Sequence, residues 1–144
     1  SDYLAQVDMD GYLNNLTSNV IQAFGLGKDI SFKVHAKDVL LDVETAMPCG
    51  LIVNELLTNS LKYAFPNGFE KEPKITVMLK NENNVITILV SDNGVGLPVD
   101  FDWENTDSLG LKLVNFWVKY QLAGSISVDL EAGTRYNISF NYDK

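Results

Sequence analysis

The chain of 144 residues is 46% hydrophobic and 21% charged, the size and composition of one soluble globular domain, whose core buries roughly two thirds of the unfolded surface with no need of disulfides or a structural metal. Nineteen acidic against eleven basic residues give a net charge of −8, with Arg135 the one arginine, which argues against nucleic acid as a partner and requires any anionic ligand to be met by backbone N–H groups, a lysine or a metal. No run approaches the roughly 18 apolar residues of a membrane span, SDYLAQVDMD is not a signal peptide, and the lone Cys49 suits a reducing compartment as an inert buried thiol, so a cytoplasmic domain without membrane contact is expected.

No repeat, low-complexity run or linker divides residues 1–144, which read as a single domain. Residues 10–24 place Leu13, Leu16, Val20, Ala23 and Phe24 at helical spacing, and Gly25 and Gly27 end the run. ISFKVHA alternates Ile30, Phe32 and Val34 against Ser31, Lys33 and His35, and VLLDV follows a polar turn, which predicts two short strands. Residues 46–65 predict a helix closed by Pro66-Asn67-Gly68. Lys74 to Lys80 and Val85 to Ser91 predict an antiparallel hairpin about Asn81 to Asn84, its almost wholly apolar second strand lying centrally. Residues 92–107, rich in Asp with Gly94, Gly96 and Pro98, predict a loop. Ser108 is placed to N-cap a helix from Leu109 to Leu122, with Gly124 as the closing C′ glycine. SISVDLE and TRYNISF predict a last hairpin about Ala132-Gly133 with Ile126, Val128, Leu130, Tyr136, Ile138 and Phe140 on one face. Three helices and about six strands in mixed order predict an α/β sandwich (α+β), with helices covering one sheet face.

Four segments carry candidate chemistry. In MPCGLIVNELLTNSLKYAF, Glu55, Asn59, Lys62 and Tyr63 share one helix face, opposite Val53, Leu57, Leu61 and Ala64. A solvated amphipathic helix would show this pattern, yet such faces favour strong helix formers, whereas this one uses Asn54, Thr58 and Asn59. An amide oxygen can complete the octahedral shell of a Mg²⁺ ion otherwise held by phosphates and water, Glu55 could orient or deprotonate a nucleophile, and Lys62 could neutralise phosphate. Asp92-Asn93-Gly94-Val95-Gly96 leaves the central strand either as a hairpin turn or, since Leu97-Pro98-Val99-Asp100 resumes no alternation, as a ligand loop. There Asp92 could accept from an exocyclic amine such as adenine N6, where guanine would offer an oxygen. Asp107-Ser108-Leu109-Gly110-Leu111 is a capped helix start, plain or phosphate-binding. Thr134 shares the inward parity of Tyr136, as a simple strand residue or with its hydroxyl set to bond a base or the Asp92 carboxylate.

In order, NELLTNSLKYAF, DNGVGLP, SLGLKLV and AGTRYNISF resemble the N, G1, G2 and terminal Gly-Thr boxes of the ATP-binding catalytic domain of sensor histidine kinases, members with DNA gyrase, the ninety-kilodalton heat-shock chaperones and MutL of the GHKL superfamily. The resemblance spans nearly the whole chain. YLNNL and AMPCGLIVNEL are similar to the subgroup with a type-2 dimerisation and phosphoacceptor domain, whose N box reads NELxTNALKHAF. The resemblance implies a Bergerat-type mixed sheet of five or six strands under three helices, with Mg²⁺ and ATP as cofactors. It implies that Asn59 binds the metal, that Lys62 and Tyr63 face the phosphates, and that Asp92 recognises the adenine amine. Gly94, Gly96 and Leu97 would shape the base pocket, Gly110 and Leu111 would underlie the phosphates, Thr134 would complete the pocket, and Glu55 takes the place of the superfamily's catalytic acid, here serving transfer to histidine.

The G2 segment keeps one glycine of the usual GxGxG, and the loop from Val99 to Ser108 offers only Phe101 and Trp103 as an F box, so a small lid is expected. His35, on the polar side of a short strand, reads as solvated, so the resemblance leads one to expect the phosphoacceptor on a dimerisation domain upstream of Ser1, with a response regulator receiver domain as the further partner. A stand-alone GHKL ATPase or serine kinase of the anti-sigma type, or a degenerate fold kept as an interaction module, are the rival readings.

Overall fold

Two residue periods organise the chain. A computed structural model describes residues 5–97, 101–102 and 108–143; Trp103, Asp107 and the rest of 98–100 and 103–107 lie outside the described residues. In chain order the elements are β1 (Gln6–Asp8), α1 (Met9–Phe24), β2 (Ser31–His35), β3 (Leu40–Asp42), α2 (Val43–Tyr63), β4 (Lys74–Glu82), β5 (Val85–Asp92), α3 (Leu109–Phe116), β6 (Ser125–Asp129) and β7 (Thr134–Asn141). A π-helical turn over Trp117–Gln121 continues α3.

Alternation builds a five-stranded sheet in the order β2-β4-β5-β7-β6, with β2 and β4 parallel and every other neighbour antiparallel. The apolar β5 lies at its centre, as its sequence predicts. Its inward row is Ile86, Ile88, Val90 and then Asp92, all buried. The row beside it on β7 is Thr134, Tyr136, Ile138 and Phe140, with Asp92 paired to Thr134 and Val90 to Tyr136. The alternate row of β5, Thr87, Leu89 and Ser91, is only half-buried. Burial is therefore confined to one face of the central strand.

That face is covered by helices whose apolar residues recur at three and four. From α2 come Ile52, Val53, Leu56, Leu57 and Leu61, and from α1 Met9, Leu13 and Val20. Leu111, Val114 and Val118 complete the layer. Among the described residues, three helices lie on a mixed five-stranded sheet, the architecture expected.

Several details differ from the sequence reading. VLLDV does not join the main sheet: its Leu40–Asp42 pairs with β1 in a separate two-stranded ribbon, a partner the short QVD run did not signal. The second helix starts at Val43 rather than residue 46, because Asp42, held by the Tyr142 hydroxyl on both its N–H and its carboxylate, takes the N-cap position. Ala23 and Phe24 are exposed, since the buried stripe of α1 runs through Met9, Leu13, Thr17 and Val20. Leu130 lies past the end of β6 and is partly exposed. The left-handed residue closing the third helix is Ala123 (φ 52°), not Gly124. A side chain at Gly124 would stand 2.4 Å from the Ser139 carbonyl oxygen, so the glycine serves close approach to β7 instead. The β4–β5 hairpin turns on Asn83 and Asn84, both at positive φ, the twist that matches flanking strands.

Candidate functional site

Between the C-terminal half of α2 and the ends of β5 and β7 the molecule opens into a cleft of about 570 Å³, lined by Asn59, Tyr63, Gly96, Leu97, Leu111 and Tyr136, with Phe101 and Ser108 also on its wall. Its inner end adjoins a small cavity of about 10 Å³, which shares Asn59, Tyr63, Gly96, Leu97 and Tyr136 with it and reaches Ser60, Asp92 and Thr134. A second groove of about 510 Å³, between the start of α2 and the π-turn, holds none of the residues singled out above.

Strand parity carries Asp92 inward, where it is 6% exposed. An inward carboxylate at the end of an apolar row must be satisfied by donors. Oδ1 accepts from the N–H of Gly94 at 2.9 Å and the N–H of Thr134 at 3.3 Å, and Oδ2 accepts from the Ser60 hydroxyl at 2.7 Å. A carboxylate offers about four acceptor sites. Three are filled from within the protein, which leaves the fourth on Oδ2, and Asp92 lines the inner end of the cleft.

The backbone around Asp92 is fixed by two glycines. A Cβ on Gly94 would stand 2.4 Å from the Ala64 Cβ and carbonyl oxygen, and the Val95 N–H donates to that oxygen at 3.0 Å, so the loop after β5 is fastened to the end of α2. Gly133, at φ +81°, brings the last hairpin onto the Asp92 carbonyl, 2.1 Å from where its Cβ would be. Asn93 anchors the loop from the other side: its Oδ1 accepts from the Lys74 N–H and its Nδ2 donates to the Glu72 carbonyl, both at 2.8 Å. DNGVG is thus a cleft-lining loop and not a hairpin turn.

Tyr136, two residues along β7, is buried beside Asn59 and Asp92. Burial first and the charge of Asp92 second push its phenol up to about 12, against a hydrogen bond with Asn59 that lowers it. It stays a neutral hydroxyl at physiological pH.

On α2, Glu55 and Asn59 stand one turn apart. Asn59 lines the cleft, and the Glu55 carboxylate lies against Gly110 at the start of α3, its Oε2 2.5 Å from where a Cβ would be. Ser108 caps α3, its Oγ accepting from the Leu111 N–H at 3.5 Å. Among the described residues no group of three His, Cys, Asp or Glu side chains is placed to hold a metal ion. The Asn59 amide oxygen, with Glu55 one turn away, is a donor of the kind a hard cation such as Mg²⁺ takes when phosphate and water supply most of its shell.

Of the sequence candidates, Asn59, Tyr63, Asp92, Gly96, Leu97, Leu111 and Thr134 line one continuous cleft, Gly94 fixes its floor, and Glu55 and Gly110 meet at its side. Lys62 is exposed and lines neither part of the cleft. Tyr63 stands at the rim, 63% exposed. Thr134 meets Asp92 through its backbone N–H rather than its hydroxyl. His35 is exposed on the edge strand β2. Cys49 is fully buried, and burial, then the charge of Asp42, pushes its thiol up to about 12. Sequence reasoning missed Ser60 and treated Tyr136 as core alone. A serine on the buried stripe of Leu56, Leu57 and Leu61, where an aliphatic residue is expected, was the available signal.

The family described as histidine kinase-, DNA gyrase B-, and HSP90-like ATPase matches residues 44–144. The chain is 32% identical over 108 residues to blue-light-activated histidine kinase 2 of Erythrobacter litoralis (strain HTCC2594), across 75% of this chain and 31% of that protein. It is 26% identical over 123 residues to sensor histidine kinase PdtaS of Mycobacterium tuberculosis (strain ATCC 25618 / H37Rv), across 85% of this chain and 24% of that protein. The solved histidine kinase domain of the Erythrobacter litoralis EL346 blue-light activated histidine kinase superposes with a TM-score of 0.84 at 30% identity, over 94% of this chain and 62% of that one. The chain spans less than a third of each of the two curated relatives.

Proposed function

The chain belongs to the histidine kinase-, DNA gyrase B- and HSP90-like ATPase family, and on that premise we propose that residues 1–144 form one catalytic ATP-binding domain of a sensor histidine kinase. The observation that carries the proposal is Asp92: a buried carboxylate with three internal donors and one acceptor site left at the inner end of a cleft. That site fits a purine with an amine at position 6, and so adenine over guanine, which carries a carbonyl oxygen there.

With the base at Asp92, between Leu97, Tyr136 and the backbone of Gly96, the phosphates extend toward Asn59 and the start of α3. Mg²⁺, when bound, supplies neutralisation of phosphate charge, with Asn59 Oδ1 as its protein ligand and Glu55 a turn away. Gly110 and Leu111 present the positive end of α3 to the phosphates. Lys62 and Tyr63, exposed on the rim, meet phosphate only at its outer end. Glu55 orients the incoming nucleophile, an imidazole nitrogen on a separate dimerisation domain, and a response regulator receiver domain takes the phosphoryl group afterwards. Catalysis is chiefly positioning and charge neutralisation, so this chain by itself binds ATP and turns it over little.

Calorimetric titration with ATP and GTP, with and without Mg²⁺, tests the binding half. Incubation with γ-labelled ATP and a histidine-bearing dimerisation domain supplied in trans tests the transfer half, through label that is acid-labile and base-stable. Mg²⁺-dependent binding of ATP over GTP and labelled histidine are expected. No binding at millimolar nucleotide would overturn the proposal in favour of an interaction module. Steady phosphate release without labelled histidine, abolished in Glu55→Ala, would overturn it in favour of a stand-alone ATPase.

A further inference from the structure

Within the proposed adenine cleft, Ser60 is the polar side chain without a role. It follows Asn59 on α2 and sits 5% exposed on the stripe that packs Leu56, Leu57 and Leu61 into the core. A hydroxyl in a helix commonly donates to the carbonyl one turn back. Thr58 does so, to the Asn54 oxygen at 2.8 Å. Ser60 instead donates across to the sheet, to Asp92 Oδ2 at 2.7 Å, 32 positions away in sequence.

We propose that Ser60 is a positioning residue for base recognition, its hydroxyl fixing the Asp92 carboxylate so that one acceptor site faces the cleft and selects a base edge with an exocyclic amine. The inference rests on the nucleotide reading of the cleft. Both donors to Oδ1 are backbone N–H groups, of Gly94 and Thr134, which hold one oxygen and leave the other to pivot. Among the described residues, Ser60 is the donor to Oδ2. It uses one of that oxygen's two acceptor sites and directs the other. Without it Oδ2 keeps two open sites, which water or a differently placed donor can satisfy as well as an adenine amine, and discrimination against a base lacking that amine declines.

The test compares ATP with purine riboside triphosphate, which lacks the 6-amine, by calorimetry on the unsubstituted chain, Ser60→Ala and Ser60→Thr, with thermal melts as the folding control. The unsubstituted chain should prefer ATP. Ser60→Ala should keep its affinity for the deaminated nucleotide and lose about tenfold of that preference, the size of one charge-assisted hydrogen bond, and Ser60→Thr should restore it. Ser60→Cys, with native-like volume and a weak donor, should show the same loss if Ser60→Ala does not fold. An unchanged ratio, or an equal fall for both nucleotides, would overturn the positioning role while leaving nucleotide binding intact. Failure of the unsubstituted chain to bind either nucleotide would overturn the functional reading itself, and this inference with it.

Discussion

Asp92→Asn separates base recognition from folding, because the geometry dictates where the new amide nitrogen goes. Oδ1 faces two backbone N–H donors, of Gly94 and Thr134, and an NH₂ placed there would leave donors facing one another. The amide therefore keeps its oxygen at that position and puts its nitrogen where Oδ2 was. There the Ser60 hydroxyl rotates from donor to acceptor. Internal hydrogen bonds survive in neutral form, and the buried charge disappears along with its desolvation cost, so the stability change is about 1 kcal/mol. The cleft changes sign at one point. Where an acceptor faced the ligand, an N–H donor now does, opposing the adenine amine. Loss of a hydrogen bond to a charged group is worth about 1.5–3 kcal/mol, which at 1.4 kcal/mol per tenfold weakens ATP by about 10- to 100-fold. ITP, with a carbonyl oxygen in place of the amine, should bind Asp92→Asn better than it binds the unsubstituted chain. Calorimetry with both nucleotides at fixed Mg²⁺ reads this directly. ATP affinity unchanged, or ATP and ITP falling together while the chain stays folded, would refute the assignment of Asp92 to the base.

Three other outcomes follow from particular contacts. Gly124→Ala should destabilise by about 1–3 kcal/mol in urea unfolding, because the added Cβ meets backbone, the Ser139 carbonyl oxygen at 2.4 Å, which cannot swing aside. Gly110→Ala keeps the backbone N–H at the start of α3 and should depress phosphoryl transfer more than ATP affinity, since its Cβ displaces the movable end of Glu55; transfer at the unsubstituted rate would remove Glu55 from the reaction. Stability should fall as pH rises from about 9 to about 12, because the native state holds the protons of Cys49 and Tyr136 more tightly than the unfolded chain, each pushed up to about 12 from 9 and 10 respectively. Cys49→Ala with Tyr136→Phe should flatten that limb of the urea midpoint against pH.

Much of the architecture was legible because it rests on local periods. Ile86, Ile88, Val90 and Asp92 form one parity row, so the same alternation that marks β5 as a strand also aims its last residue inward. The helix face of Glu55 and Asn59 is likewise set by a spacing of four. What was not legible depends on partners distant in sequence. The ribbon of β1 and β3 is three residues per strand, too short to show a period, and the start of α2 is fixed by Tyr142, 100 positions away. Lys62 illustrates the limit of helical arithmetic, since a face broad enough to hold Glu55, Asn59, Lys62 and Tyr63 is wider than the part of it that meets the cleft. Asn59 and Tyr63, four apart, line the cleft, and Lys62 between them does not.

The glycines make the same point about distance. Gly94, Gly124 and Gly133 each stand where a Cβ would strike backbone or a core side chain of another element, yet in sequence each reads as turn punctuation. Two of the three bear on the cleft: Gly94 presses the loop after β5 onto Ala64, and Gly133 presses the last hairpin onto Asp92. Their N–H neighbours, Gly94 itself and Thr134 beside Gly133, are the backbone groups that hold Oδ1. The close approaches and the donor set are therefore one feature: a side chain at either glycine would move a donor off the carboxylate before it touched any ligand. Gly94→Ala should on that account lower nucleotide affinity through Asp92, and a protein that instead kept its preference for ATP over purine riboside triphosphate would show that the carboxylate is held by Ser60 alone.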